Sequence, residues 1–178
     1  MDTISPLLHW SVGLSLGLLW ITAAWSKLRD RGGLQQTLVS YQLLPPSLAP
    51  TLSRLLPCLE MLIGLGLLLP ATRSIAALTT TALLLVYGLA MAINLLRGRF
   101  ELECGCNPGT DQLISWSLVL RNVVLGATSL MLLLPFARRP LQLSDLISVP
   151  IITALLCAVY LTVMSLLMER EAGDRETD

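Results

Sequence analysis

Long apolar runs, broken by short polar segments, divide the chain. Runs over 7–25, 52–69, 74–96, 114–134 and 146–168 each come near the ~20 residues that a helix needs to cross about 30 Å of hydrocarbon. They predict five spanning helices. Only Pro70, Ala71, Thr72 and Arg73 separate the second run from the third, which predicts a tight antiparallel hairpin. The connection 26–51 has a different pattern. Leu34, Leu38, Tyr41 and Leu44 recur at helical spacing among Gln35, Gln36, Ser40 and Gln42, until Pro45-Pro46 stops the repeat. That is the pattern of an amphipathic helix, either lying in the membrane interface or capping the bundle. The expected fold is therefore all-α: one polytopic membrane helical bundle over 1–168, with a four-helix core, a fifth C-terminal span and an interfacial amphipathic helix. Residues 169–178 are charged, lack aromatics and are expected to be disordered.

Composition agrees with this pattern. Hydrophobic residues make up 54% of the 178 positions and charged residues 13%, with a mean hydropathy of +0.71. A soluble domain of this size could not cover so much apolar surface. Lys and Arg balance Asp and Glu at 12 each, so no basic field exists to attract nucleic acid. The N-terminal run follows Asp2 without any preceding Lys or Arg, and no clean small-x-small site follows it, so it reads as a retained span rather than a secretory signal.

Alternating the spans puts the connection after span one, the connection after span three and the C-terminal tail on one side of the membrane. That side carries Lys27, Arg29, Arg31, Arg54, Arg97, Arg99, Arg170 and Arg175, against Arg73, Arg138 and Arg139 on the other. By the positive-inside rule it should be cytoplasmic.

The same side carries the chemistry. Cys104-Gly105-Cys106 sits in the break after span three. Two thiols separated by one glycine can close into a small ring that exchanges readily, and Asn107-Pro108-Gly109 forms a turn just beyond it. A chance pair of reduced thiols and half a metal site are the alternatives. Zinc wants about four ligands, whereas the single histidine, His9, begins span one on the opposite side. No metal is expected. Cys58, at the head of span two, is a possible resolving thiol or a small apolar residue. Cys157 lies near mid-membrane and has no assigned role.

Glu60 and Arg121 lie at similar depth in spans two and four, about 10–12 Å below the cysteine side at 1.5 Å per residue. An unpaired charge there costs at least ~2.5 kcal/mol, so each needs a counter-charge or a wet cavity, and equal depth makes the two plausible partners. Lys27, ending span one, and Asn94, near the end of span three, lie close to the same surface. These residues form either a buried ion pair fixing helix register or a polar pocket beneath the thiols. In the second case Arg121 or Lys27 favours a thiolate and Glu60 relays a proton.

Several of these residues fall in a recognisable order: Ser26-Lys27-Leu28-Arg29-Asp30, Tyr41-Gln42-Leu43-Leu44-Pro45, Leu56-Pro57-Cys58-Leu59-Glu60, Cys104-Gly105-Cys106 and Leu120-Arg121-Asn122. Over about residues 7–135 the chain resembles the methylamine utilisation protein MauE family, within the DoxX-like membrane proteins. It departs from the family pattern in carrying Asn107 and Pro108 where an aromatic often follows the second cysteine. The resemblance implies a multi-pass protein of the bacterial inner membrane that assists maturation of methylamine dehydrogenase, whose small subunit is rich in disulfides and bears a quinone made from tryptophan. It also implies a thioredoxin-like partner, with the immature small subunit as the client.

The first expectation is thus a thiol-disulfide relay through Cys104 and Cys106. A noncatalytic assembly factor or scaffold is the alternative. No cofactor is evident and no dedicated quinone motif is present, although a quinone-coupled enzyme is a third possibility. The bundle also has an architectural likeness to membrane thiol oxidoreductases such as vitamin K epoxide reductase, which would turn the cysteine side outward. The basic residues point the other way, and orientation is left open.

Overall fold

The structure is a computed structural model that describes residues 6–104, 113–134 and 143–176. It contains helices α1 (Pro6–Arg29), α2 (Arg31–Ser40), α3 (Ala49–Leu68), α4 (Arg73–Leu96), α5 (Trp116–Leu130) and α6 (Leu143–Glu176). A 3-10 turn at Pro46–Leu48 leads into α3, and another at Met131–Leu133 extends α5. Among the described residues, five helices are long and apolar enough to span a membrane. The chain is a multi-pass membrane bundle, as the apolar runs predict.

The core lies among α1, α3, α4 and α5. Val12, Leu16 and Trp20 of α1 meet Ile63 and Leu67 of α3 and Ala76, Ala77, Leu83 and Leu84 of α4. The tightest crossing is that of α1 on α3. A Cβ on Gly64 would stand 3.0 Å from the Gly17 carbonyl oxygen, and one on Gly17 would stand 3.1 Å from the Gly64 carbonyl oxygen. Small residues permit this approach where lipid supplies no hydrophobic drive between helices. α4 and α5 are pinned by Thr81 Oγ1, 2.5 Å from Ser129 Oγ and donating to the Gly126 carbonyl at 3.2 Å.

The far end of the bundle, opposite the cysteines, is closed by Arg73. Its Nε donates to the Leu67 carbonyl at 2.9 Å, Nη1 lies 3.1 Å from His9 Nδ1, and its guanidinium stacks 4.0 Å over Trp10. The arginine thereby satisfies carbonyls left over at the end of α3. His9 reaches on to the Leu132 carbonyl at 3.1 Å, which ties α1 to the end of α5.

Two elements differ from the sequence expectation. α2 stops at Ser40, short of Leu44, because Gln42 adopts a left-handed backbone (φ 51°) that turns the chain. Leu34 and Tyr41 are buried and Leu44 is exposed. α2 packs on α3, so it caps the bundle. α6, in turn, runs to Glu176 through the segment expected to be disordered. The segment Glu169, Arg170, Glu171, Ala172 consists of strong helix formers that extend an established helix at little cost.

Candidate functional site

The break between α4 and α5 is closed at its base. Glu103 and Leu113 form an antiparallel bridge, and the Ile114 N–H donates to the Leu102 carbonyl at 2.8 Å. Leu102 and Cys104 pack against Tyr41, Met91, Leu95, Ile114 and Leu118. The Tyr41 hydroxyl donates to the Cys104 carbonyl at 3.4 Å, and burial pushes its pKa above the ordinary phenol value. Cys104 is half-buried and disulfide-bonded, while Cys58 and Cys157 are free thiols. Gly105, Cys106, the turn at Asn107-Pro108-Gly109, Arg138 and Arg139 lie outside the described residues.

Beneath Cys104 lies a cavity of about 90 Å³ walled by Leu34, Thr37, Leu38 and Tyr41 from the α2 side, Leu56 of α3, and Tyr87, Ala90 and Met91 of α4, with Lys27 of α1 also in its lining. Lys27 and Tyr87 are shared with a second cavity of about 320 Å³, which adds Trp20, Glu60, Arg121, Asn122 and Met164. A polar seam thus separates the space under the disulfide from a larger space deeper in the membrane.

Glu60 is fully buried at the centre of this seam. Its Oε1 accepts from both Lys27 Nζ and the Tyr87 hydroxyl, the latter at 2.6 Å. Lys27 Nζ also sits 5.0 Å from the centre of the Tyr87 ring, and Tyr87 packs against Trp20 with ring centres 6.4 Å apart. The pairing expected from sequence, Glu60 with Arg121, is therefore replaced by Glu60 with Lys27. The glycine crossing brings α1 close to α3, so the amine at the end of α1 reaches the carboxylate first. Arg121 shares the cavity wall, with Nη1 4.0 Å from Met164 Sδ of α6.

Asn94 does not enter the seam. Its Nδ2 donates to the Ala90 carbonyl at 3.0 Å, and its Oδ1 accepts from Arg99 Nη1 at 3.2 Å. Arg99 reaches on to the Tyr41 carbonyl at 3.5 Å, so Asn94 ties the end of α4 to the α2 turn. Cys58 lies on the exposed flank of α3, and it does not line the cavity under Cys104. Tyr87 and Trp20 are the residues that sequence reasoning misses. Tyr87 is the one aromatic of α4 and Trp20 is one of three tryptophans in α1, and no spacing marks either.

The site is a disulfide above a buried ion pair in a membrane bundle. Residues 5–135 match the model of the family described as methylamine utilisation protein MauE. The chain belongs to the MauE family. It is similar to the methylamine utilization protein MauE of Paracoccus denitrificans, 39% identical over 128 residues that cover 71% of this chain and 69% of the relative. The MauE of Methylophilus methylotrophus is 32% identical over 170 residues, covering 94% and 87% respectively. That of Methylorubrum extorquens is 38% identical over 135 residues, covering 74% and 73%. No solved structure matches the chain. Membership of the MauE family connects the protein with methylamine utilisation.

Proposed function

We propose that this MauE-family protein is a thiol-disulfide relay of the bacterial inner membrane that supports maturation of methylamine dehydrogenase. The single observation that carries the reading is Cys104, engaged in a disulfide at the rim of a cavity whose inner wall presents the Lys27 ammonium. Cys106 is its partner sulfur on this reading. A thiolate of a thioredoxin-like protein attacks one sulfur of the bond, forming a mixed disulfide and releasing the other cysteine as a thiolate. The attacking protein's second thiolate then resolves the mixed disulfide. That protein leaves with a disulfide, and this chain keeps two thiols after the protons are taken up. The same steps in reverse would reduce the partner. Lys27 supplies positive charge to the released thiolate, and Glu60 holds Lys27 in place. The client is the immature, disulfide-rich small subunit.

The test is the variant Cys104→Ser/Cys106→Ser, expressed at normal level in cells growing on methylamine. It should lose the mixed disulfide with the thioredoxin-like partner, and methylamine dehydrogenase should accumulate without its full set of disulfides. Normal maturation in that variant would instead make the protein a noncatalytic assembly factor.

A further inference from the structure

α6 packs almost wholly on α1 and leaves a gap toward α5. The 320 Å³ cavity continues into this gap, where a lane of about 510 Å³ shares Leu19, Thr22, Leu125, Tyr160 and Leu161 with it. The two halves differ in character. Along the lane, the hydroxyls of Ser15, Thr22 and Thr128 donate to carbonyls of their own helices at 2.8–2.9 Å, so they present mainly methyl and methylene groups. At the inner end, the lining includes two buried polar atoms that have no hydrogen-bond partner among the described residues: Glu60 Oε2, an acceptor, and Trp20 Nε1, a donor. Glu60 is 0% and Trp20 2% exposed. Leaving such atoms unsatisfied is costly, and a bound head group would remove that cost.

We propose that this cleft binds a lipid-soluble quinone or its quinol, with the ring between Trp20 and Glu60 and the tail in the lane between α5 and α6, floored by α1. A ring oxygen accepts from the Trp20 N–H, and the hydroxyl of the quinol form donates to Glu60 Oε2. Lys27 offsets the Glu60 charge and Arg121 adds a cation to the wall, so the donor and acceptor pair selects the head: a phosphodiester offers only acceptors and cannot donate to Glu60 Oε2. The combined volume lies in the range of about 300–1,000 Å³ typical of ligand sites. Lys27 and Tyr87 line both this site and the cavity under Cys104, so the ring rests on the inner side of the seam below the disulfide.

The test uses the full chain in nanodiscs titrated with a short-tailed ubiquinone, and it measures saturable binding above partition into empty discs. Thr22→Trp and Leu161→Trp narrow the lane from α1 and α6 without touching the ion pair. Each should weaken binding at least tenfold at an unchanged unfolding midpoint. Glu60→Gln, which keeps an acceptor oxygen but not the charge, should shift the preference between quinone and quinol. Cys104→Ser/Cys106→Ser should bind as the parent does, so this site stands or falls apart from the thiol relay. Equal affinity in both lane variants overturns the site. So does displacement of the quinone by an anionic phospholipid, which would make the cleft a lipid seat.

Discussion

At the residue scale, Glu60 depends on a partner that its own helix does not supply. Removing one member of a buried pair leaves the other uncompensated, typically at about 3–5 kcal/mol. Lys27→Met should therefore lower the unfolding midpoint strongly, and Lys27→Met combined with Glu60→Leu should recover much of the loss. A double variant no more stable than the single one would contradict the pairing. Tyr41 gives a pH-dependent counterpart outside the spans. Burial favours its neutral phenol, so the unfolded chain loses this proton near pH ~10 before the folded chain does. Stability should fall as pH rises beyond that value. Tyr41→Phe should cost about 0.5–1 kcal/mol near neutrality and then decline less steeply in alkali, measured as unfolding midpoint against pH. Burial of a charge at Glu60 was legible in the sequence, since lipid forbids it to stand alone. Its partner was not. Depth favoured Arg121 and put Lys27 nearer the surface, yet depth along a helix says nothing about which helices touch. Asn94 shows the same limit: it lies on the same side of the bundle but bonds to Arg99.

At the element scale, the α1–α3 crossing decides that choice. Gly17 and Gly64 allow the two backbones to meet, and a side chain at Gly64 would strike Ile21 Cγ1 at 2.7 Å as well as the Gly17 carbonyl oxygen at 3.0 Å. Backbone cannot move aside as a flexible side chain can. Gly64→Leu should cost about 1–3 kcal/mol and shrink the coupling between Lys27 and Glu60 in a double-mutant cycle. Undiminished coupling would mean that the pair does not depend on the crossing. The spans themselves were readable from run length, and the α3–α4 hairpin from its four-residue turn. The end of α2 was not, because a left-handed Gln42 carries no signal comparable to glycine or proline. The pattern also left open whether α2 lies in the interface or on the bundle. Packing on α3 and the burial of Leu34 and Tyr41 decide for the bundle.

At the scale of the whole molecule, the fold stacks three things along one axis: a cysteine loop tied by Tyr41 and by the Leu102–Ile114 hydrogen bond, a seam of Lys27, Tyr87 and Glu60, and a cleft that opens between α5 and α6. The other end is locked by Arg73, His9 and Trp10, so the two ends of the bundle differ in their chemistry. The cysteine spacing, the polar break and the buried charge could all be read beforehand. The cleft could not, because it arises from how loosely α6 sits, and a uniformly apolar span gives no sign of that. In the proposed relay, the Cys104–Cys106 pair cycles between bonded and separate sulfurs. Its most direct test is acid quenching of cells growing on methylamine, followed by alkylation of free thiols with a mass-tagged reagent. Cys58→Ala/Cys157→Ala should be used, so that only the pair reports. Both oxidised and reduced populations are expected, with the balance moving to one side when the thioredoxin-like partner is deleted. A pair found wholly in one state, with or without that partner, would contradict it.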